Sequence, residues 1–233
     1  MTKKHLKVLP APKTWPIKRR IAKFVTRPLS GSHKLEFCMP IDFIFKNILQ
    51  YATTTRETRK ILNSKVILVN RKRRKDVRFP VGLFDTLSIE EIGAYFRIIL
   101  NKKGKLEIIP IPKEEADIRP CKIIGKTILK AGKLQLNLDN GRNMIVDKDD
   151  YKVGDVLIKS FENKIMKHLK LQKKVLVYFT GGKHVGEIGV IDDIKKDKVI
   201  YKNTEGDVTE TLKEYAFVIG DAQPEIRLAK DKQ

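Results

Sequence analysis

The 233-residue sequence predicts an α+β fold laid out along the chain: an extended basic N-terminal arm (1–36), a small α+β module (37–117), a central small β-barrel-like domain (118–172), a second small β unit (173–221) and a tail (222–233). Three observations predict it. Apolar residues at helical spacing are confined to the stretch from Pro40 to Asn63. Beyond about residue 118, short alternating stretches are punctuated by Gly and Asn turn signals, as in small β domains. The charge is segregated as well: 49 Lys and Arg stand against 28 Asp and Glu, a net +21, and residues 1–35 and 56–78 together carry +18 of it. An apolar fraction of 41% can build cores. No apolar run approaches the ~18–20 residues that cross a bilayer, so no membrane partner is expected. The opening residues lack the apolar core of a signal peptide, and two cysteines make no disulfide scaffold, so an intracellular protein is expected.

The arm holds ten basic residues and no acid through residue 35. Pro10, Pro12, Pro16 and Pro28 exclude a continuous helix, because proline removes an amide donor and fixes φ. Trp15, Ile17, Phe24 and Val25 lie among the charges without sustained period. The expectation is an arm that is extended or disordered alone and orders against phosphates, with Arg19, Arg20 and Arg27 as contacts. The prolines and the lysine-rich composition count against a mitochondrial transit peptide.

In the module, Pro40 and Asp42 open a predicted helix through Tyr51, with Ile41, Ile44, Phe45, Ile48 and Leu49 on one face. Thr54-x-x-Glu57 reads as a capping box for a second helix to about Asn63, burying Thr58, Ile61 and Leu62. Arg56, Arg59 and Lys60 then face outward. Val66-Ile67-Leu68-Val69 reads as a buried strand, and Asn70 opens a turn carrying Arg71, Lys72, Arg73, Arg74 and Lys75. A bend at Asp85-Thr86 precedes strands over 97–100 and 106–109. Helix and turn together make a two-pronged cationic surface suited to bent or bulged RNA, where backbones crowd and negative potential is focused.

The central domain shows period-two alternation in Leu134-Gln135-Leu136-Asn137-Leu138, closed by the hairpin signal Asp139-Asn140-Gly141. Val156-Leu157-Ile158 reads as a further strand, and a lysine stripe surrounds Ile165 to Leu171. In the last β unit, residues 175–179 lead into a glycine-rich stretch with Gly182, Gly186 and Gly189, where Lys183 and His184 are candidate RNA contacts. Lys198–Asn203, Val208–Leu212 and 215–219 supply the remaining strands.

The stretch Gly182-Lys183-His184-Val185-Gly186-Glu187-Ile188-Gly189-Val190-Ile191 resembles a KOW motif, with its central glycine at Gly189, which implies an SH3-like barrel. Residues 56–70 resemble the core of the S-four-type RNA-binding domain; Asn63-Ser64 and Arg71 stand where that family usually has glycines. Over essentially the whole chain, Lys3-Lys4-His5-Leu6-Lys7, Ala11-Pro12-Lys13-Thr14-Trp15-Pro16, Gly31-Ser32-His33-Lys34-Leu35, Arg78-Phe79-Pro80-Val81-Gly82-Leu83-Phe84-Asp85, Thr180-Gly181-Gly182 and Phe217-Val218-Ile219-Gly220 resemble the small-subunit ribosomal protein S-four family of the archaeal and eukaryotic type, in its archaeal form. The resemblance implies a structural constituent of the cytoplasmic ribosome. Its partners would be small-subunit ribosomal RNA and neighbouring ribosomal proteins, with no homo-oligomer. The alternatives are a KOW-containing transcription or translation factor and an RNA-modifying protein that visits RNA transiently.

No catalytic constellation, cofactor site or metal site is expected. Gly125-Lys126-Thr127 lacks the earlier glycine of a phosphate-binding loop, since position 120 is proline. His5, His33, His168 and His184 have no zinc-site spacing, nor do Cys38 and Cys121, which read as buried small hydrophobes. The adjacent carboxylates Asp149-Asp150 and Asp192-Asp193 would point to opposite sides of a strand.

Overall fold

Antiparallel strands make up most of the regular structure, and the helices are few. The computed structural model describes residues 5–20, 22–129, 132–147, 149–160, 164–203 and 206–228. Lys3 and Lys4 of the arm and the end of the tail lie outside the described residues. The chain divides into two units, one of residues up to 99 with 105–117, the other of 100–104 with 118–228.

The arm residues of the first unit are irregular but not bare. Strands β1 (Leu6–Lys7) and β2 (Phe24–Val25) pair antiparallel. Val8, Ala11 and Trp15 are buried, and the Trp15 ring lies 5.5 Å from that of Phe43. The Arg19 guanidinium crosses the arm to donate to the carbonyls of Leu9 at 2.5 Å and Ala11 at 3.1 Å. The Leu29 amide donates to the Arg78 carbonyl at 2.9 Å, and the Leu106 amide to that of Thr14 at 2.7 Å. An arm free until phosphates arrive is therefore corrected: Val8, Ala11 and Trp15, too irregularly spaced to announce a helix or strand, are core residues, while Leu9 and Phe24 stay exposed.

Strand β3 (Cys38–Pro40) leads into a short helix, α1 (Ile41–Phe43). The predicted helix to Tyr51 does not form as such. Ile44–Ile48 widens into a π-helical turn, with the Leu49 amide reaching the Ile44 carbonyl, and Gln50 adopts φ +56°. The apolar face survives, since Ile41, Ile44 and Phe45 are fully buried. Helix α2 (Thr55–Ser64) follows as expected and buries Thr58 and Leu62, with Ile61 half-buried. Strands β4 (Ile67–Val69), β5 (Lys72–Arg73), β6 (Pro80–Gly82), β7 (Thr86–Ile89), β8 (Ala94–Leu100) and β9 (Leu106–Pro110) complete the unit. Strand β6 pairs with β3, and the others form one sheet in the order β5-β4-β7-β8-β9.

The second unit holds two five-stranded antiparallel sheets. The first has the order β12-β11-β10-β13-β14, from β10 (Ile118–Ile128), β11 (Leu134–Leu138), β12 (Asn143–Val146), β13 (Val156–Ser160) and β14 (Ile165–Leu169). Strand β10 pairs with β13 through its first half and with β11 through its second, and the register shifts between Ile123 and Gly125. Such a bulge bends a strand and curls its sheet. Cys121, Ile123, Leu134, Leu136, Leu138 and Leu157 form the core inside the curl. The Asp139–Gly141 turn forms as expected, with Gly141 at φ +67°. Gly125, Lys126 and Thr127 lie within β10, in no strand-to-helix loop.

The second sheet has the order β18-β17-β16-β15-β19, from β15 (Leu176–Phe179), β16 (Ile188–Ile194), β17 (Lys198–Asn203), β18 (Val208–Leu212) and β19 (Ala216–Gly220). Gly189 is required by close packing: a Cβ there would sit 2.4 Å from the Tyr201 ring and 2.7 Å from the Lys202 carbonyl. The α+β expectation thus becomes a mostly β protein in which α2 is the one regular helix of any length among the described residues.

Trp15 is the sole tryptophan, so its emission reports arm docking. We expect blue-shifted emission from the free protein without RNA. Trp15→Ala should lower the stability of the first unit by about 3–5 kcal/mol in denaturant unfolding, as for other buried Trp truncations.

Candidate nucleic-acid interface

Helix α2 begins at a cap that the sequence specifies. The Thr54 hydroxyl accepts from the Glu57 amide at 3.2 Å. The Glu57 carboxylate returns the bond to the amide of Thr53 at 2.8 Å, one residue earlier than the usual capping box, and also takes the Thr53 and Thr54 hydroxyls. These bonds, led by the Thr53 amide, hold the Glu57 carboxyl down to about 2. With Thr58 and Leu62 turned inward, Arg56, Arg59, Lys60 and Asn63 share one outer face by their i, i+3, i+4, i+7 spacing. The three cations on it are exposed.

The basic turn is set by a buried network. Asn70 and Arg71 join β4 to β5 as a two-residue hairpin with φ +51° and +62°. Positive φ at both positions matches the twist of the flanking strands. The Asn70 side chain donates to Asp85 at 2.8 Å and accepts from the Thr86 amide at 3.0 Å. Asp85, 1% exposed, also accepts from the Gly82 amide at 2.8 Å and lies 3.0 Å from His33 Nε2. Arg71 carries the left-handed strain that a glycine would avoid, and it forms a bidentate pair with Asp117. Helix α2, by contrast, has no left-handed residue at its end: Lys65 is extended, and its amide donates to Ile61 at 2.8 Å.

Helix and turn are brought together. Arg73 Nη2 donates to the Asn63 carbonyl at 3.2 Å, joining the turn to the cationic face of α2. Lys72, Arg73 and Lys75 are exposed there. Arg74 is placed differently: its guanidinium stacks on the Phe79 ring, 4.2 Å from the centroid. In the arm, Arg20 is exposed, Arg19 is tied to arm carbonyls, and Arg27 is half-buried, its carbonyl accepting from Arg78 at 3.0 Å. Lys183 and His184 belong to the other unit. Lys183 is exposed in the β15–β16 loop, whereas His184 Nδ1 lies 3.2 Å from the Glu187 carboxylate and its ring meets Tyr201 edge-on at 6.0 Å.

The sequence marks Asn70, Asp42 and Asp85 as turn, helix-start and bend residues and His33 as an isolated histidine, but not the buried bonds through which they position this surface. Buried Asp42 accepts from Lys46 at 2.9 Å and Thr55 at 3.1 Å, and it also accepts from Thr26 of the arm. For the two acids the available signal was a lone carboxylate set among apolar neighbours. The thiols are buried, and burial, with Asp85 nearby, pushes Cys38 up to about 12, so it is no nucleophile at neutral pH. Among the described residues, no group of three His, Cys, Asp or Glu gathers to hold a metal.

The fold and the site define a mostly β protein with exposed cations on a helix and an adjoining hairpin. Comparison with known proteins resolves the class further. The model of the ribosomal family S4e matches residues 92–166, and that of the RS4NT (NUC023) domain matches residues 2–36. The chain is 38% identical to the small ribosomal subunit protein eS4 of Methanocaldococcus jannaschii, over 97% of this chain and 98% of that protein. It is 42% identical to the protein of that name from Methanocella arvoryzae, with the same coverage. The crystal structure of the 30S ribosomal protein S4e from Thermoplasma acidophilum superposes with a TM-score of 0.68 at 30% identity, covering 79% of this chain and 96% of that one. The chain belongs to the S4e family of small-subunit ribosomal proteins, and the family is structural, not enzymatic.

Because Glu57 stays ionised in the folded state down to about pH 2, while its ordinary value is 4.5, its stabilisation is complete above pH 4.5 and lost as pH falls toward 2. Glu57→Gln should flatten the acid side of the stability profile within that window, measured by denaturant unfolding at stepped pH. Arg71→Gly relieves about 1–2 kcal/mol of left-handed strain and gives up an exposed ion pair worth about 0–1 kcal/mol. Thermal unfolding should therefore show stability unchanged or slightly raised.

Proposed function

We propose that this protein is a structural constituent of the small ribosomal subunit that binds small-subunit ribosomal RNA mainly through its phosphates, in contact with neighbouring ribosomal proteins. The observation that carries the reading is the continuity of the α2 face with the β4–β5 turn through the Arg73–Asn63 bond. That bond brings Arg73 to the end of the helix whose outer face carries Arg56, Arg59 and Lys60, and Lys72 and Lys75 are exposed in the same turn. Crowded RNA backbones repel one another, and such an edge lowers that repulsion where helices meet.

The finer assignments follow the same logic. The 37–117 segment acts as the S-four-like RNA-binding module. Residues 173–221 act as an SH3-like barrel whose KOW loop presents Lys183. In the arm, Arg20 is the contact best placed to face RNA. Arg19 and Arg74 serve chiefly to shape the elements that carry the other cations, because both are half-buried, Arg19 with Nη1 and Nη2 on arm carbonyls and Arg74 on the Phe79 ring, whereas Arg73 is exposed and gives only Nη2 to Asn63.

Binding to a small-subunit rRNA transcript tests this. If about 6–10 phosphates are engaged, affinity should fall by roughly 10³–10⁵ between 50 and 200 mM salt. The triple variant R56A/R59A/K60A should bind more weakly and show a salt slope shallower by about 2–3, close to one unit for each phosphate left without its cation. A flat salt response of the unaltered protein would refute the phosphate mechanism.

A further inference from the structure

The β4–β7–β8 sheet has two chemically different faces. The register aligns Leu68 with Ser88 and Ser88 with Tyr95, while Thr86 aligns with Arg97. By strand alternation these five residues share one face, opposite Ile67, Val69, Leu87 and Ile89. A 3₁₀ turn, Glu114–Asp117, lies against one end of that face and is clamped at two points. Fully buried Arg97 donates to the Glu115 carboxylate at 3.0 Å and to the Glu115 carbonyl at 2.9 Å. Arg71 binds both oxygens of Asp117 through Nε and Nη2.

What the turn leaves uncovered is a pocket of about 260 Å³ lined by Leu68, Arg71, Ser88, Glu90, Tyr95 and Lys113. It lies below the ~300–1,000 Å³ of sites that enclose a whole cofactor or drug-sized ligand. Its chemistry is mixed: an aromatic ring and an aliphatic chain on either side of a hydroxyl, with a carboxylate and two cations. A simple anion site would have no use for the ring or for Glu90. Flat aromatic and apolar surface on a β-sheet, ringed by polar groups, suits an unstacked RNA base. The Arg71–Asp117 pair engages only Nε and Nη2, leaving Nη1 to donate to a ligand.

We propose that this pocket receives a single unstacked nucleotide of the bound RNA. Its base stacks on Tyr95 and Leu68, its edge meets Ser88 and donates to Glu90, and its phosphate meets Lys113 and Arg71 Nη1. The proposal rests on the RNA-binding reading above and adds to it one place where a base, rather than backbone, is held.

The test uses the full chain and a small-subunit rRNA transcript. Tyr95→Ala should weaken binding about 5- to 150-fold, the range for loss of one base–aromatic stack, with the salt slope unchanged. Tyr95→Phe, which keeps the ring, should stay within about twofold of the unaltered protein. With guanosine 5′-monophosphate as the probe, amide resonances of Ser88 and Tyr95 should shift, and with ribose 5-phosphate they should not. If Tyr95→Ala binds as the unaltered protein does while R56A/R59A/K60A is weakened, the pocket holds no nucleotide and the phosphate reading stands. Equal shifts with ribose 5-phosphate would overturn the base assignment in favour of an anion site. If the unaltered protein shows no salt-dependent RNA binding, the RNA reading itself fails, and this proposal with it.

Discussion

Asp85 is a carboxylate buried in the middle of a strongly cationic chain, and the cationic edge depends on how it is satisfied. An ionised group taken out of water is tolerated only when donors replace its hydration. Among the donors to Asp85 are His33 in the arm, Asn70 at the hairpin, and the Gly82 amide three residues before it. The network therefore does more than neutralise a charge. It sets the left-handed geometry of Asn70 and, with it, the direction in which the following basic residues leave the sheet. Asp42 plays the parallel part for the helix, drawing Thr26, Lys46 and Thr55 to one point beside the start of α2.

The same structure separates cations that build from cations that face outward. Arg19, Arg74 and Arg97 commit their donors or their planar faces to carbonyls, a ring and a carboxylate of the protein. Lys122 does so too, donating to the carbonyls of Glu214 at 2.7 Å and Ala216 at 2.6 Å, and burial pushes it down to about 8. Net charge thus overstates the surface available to a polyanion. Local density of exposed cations on one edge is the better measure, and the α2 face with the adjoining turn has it.

Features governed by a few neighbouring residues are legible in the sequence. The α2 cap, the Asp139–Gly141 hairpin, and the strands Lys198–Asn203 and Val208–Leu212 follow from spacing and turn chemistry. Expectation and structure part where distant partners decide the outcome. The predicted helix after Pro40 gives way to a π-helical turn where Asp42 and Lys46 pair and Asp42 also takes bonds from the arm and from α2. The arm reads as unstructured because Val8, Ala11 and Trp15 form no periodic pattern, yet each is buried. In the β15–β16 region the glycine pattern is visible in the sequence, but the reason for Gly189 is the Tyr201 ring packed against it from β17.

The sequence by itself determined that the chain would be mostly short elements, that its positive charge would be concentrated in the arm and around α2, and that it resembles one ribosomal family from end to end. These are properties of composition and of contacts a few residues apart, where hydrogen-bond geometry and side-chain period leave little choice. Only the tertiary structure decided which arginines turn inward, where the arm docks, and that a turn clamped by Arg71 and Arg97 leaves a pocket on the sheet. Those outcomes depend on carbonyls, rings and carboxylates that lie beyond the reach of local periodicity, five residues away for Arg74 and Phe79 and 46 for Arg71 and Asp117, and a buried charge takes whichever partner the packing supplies.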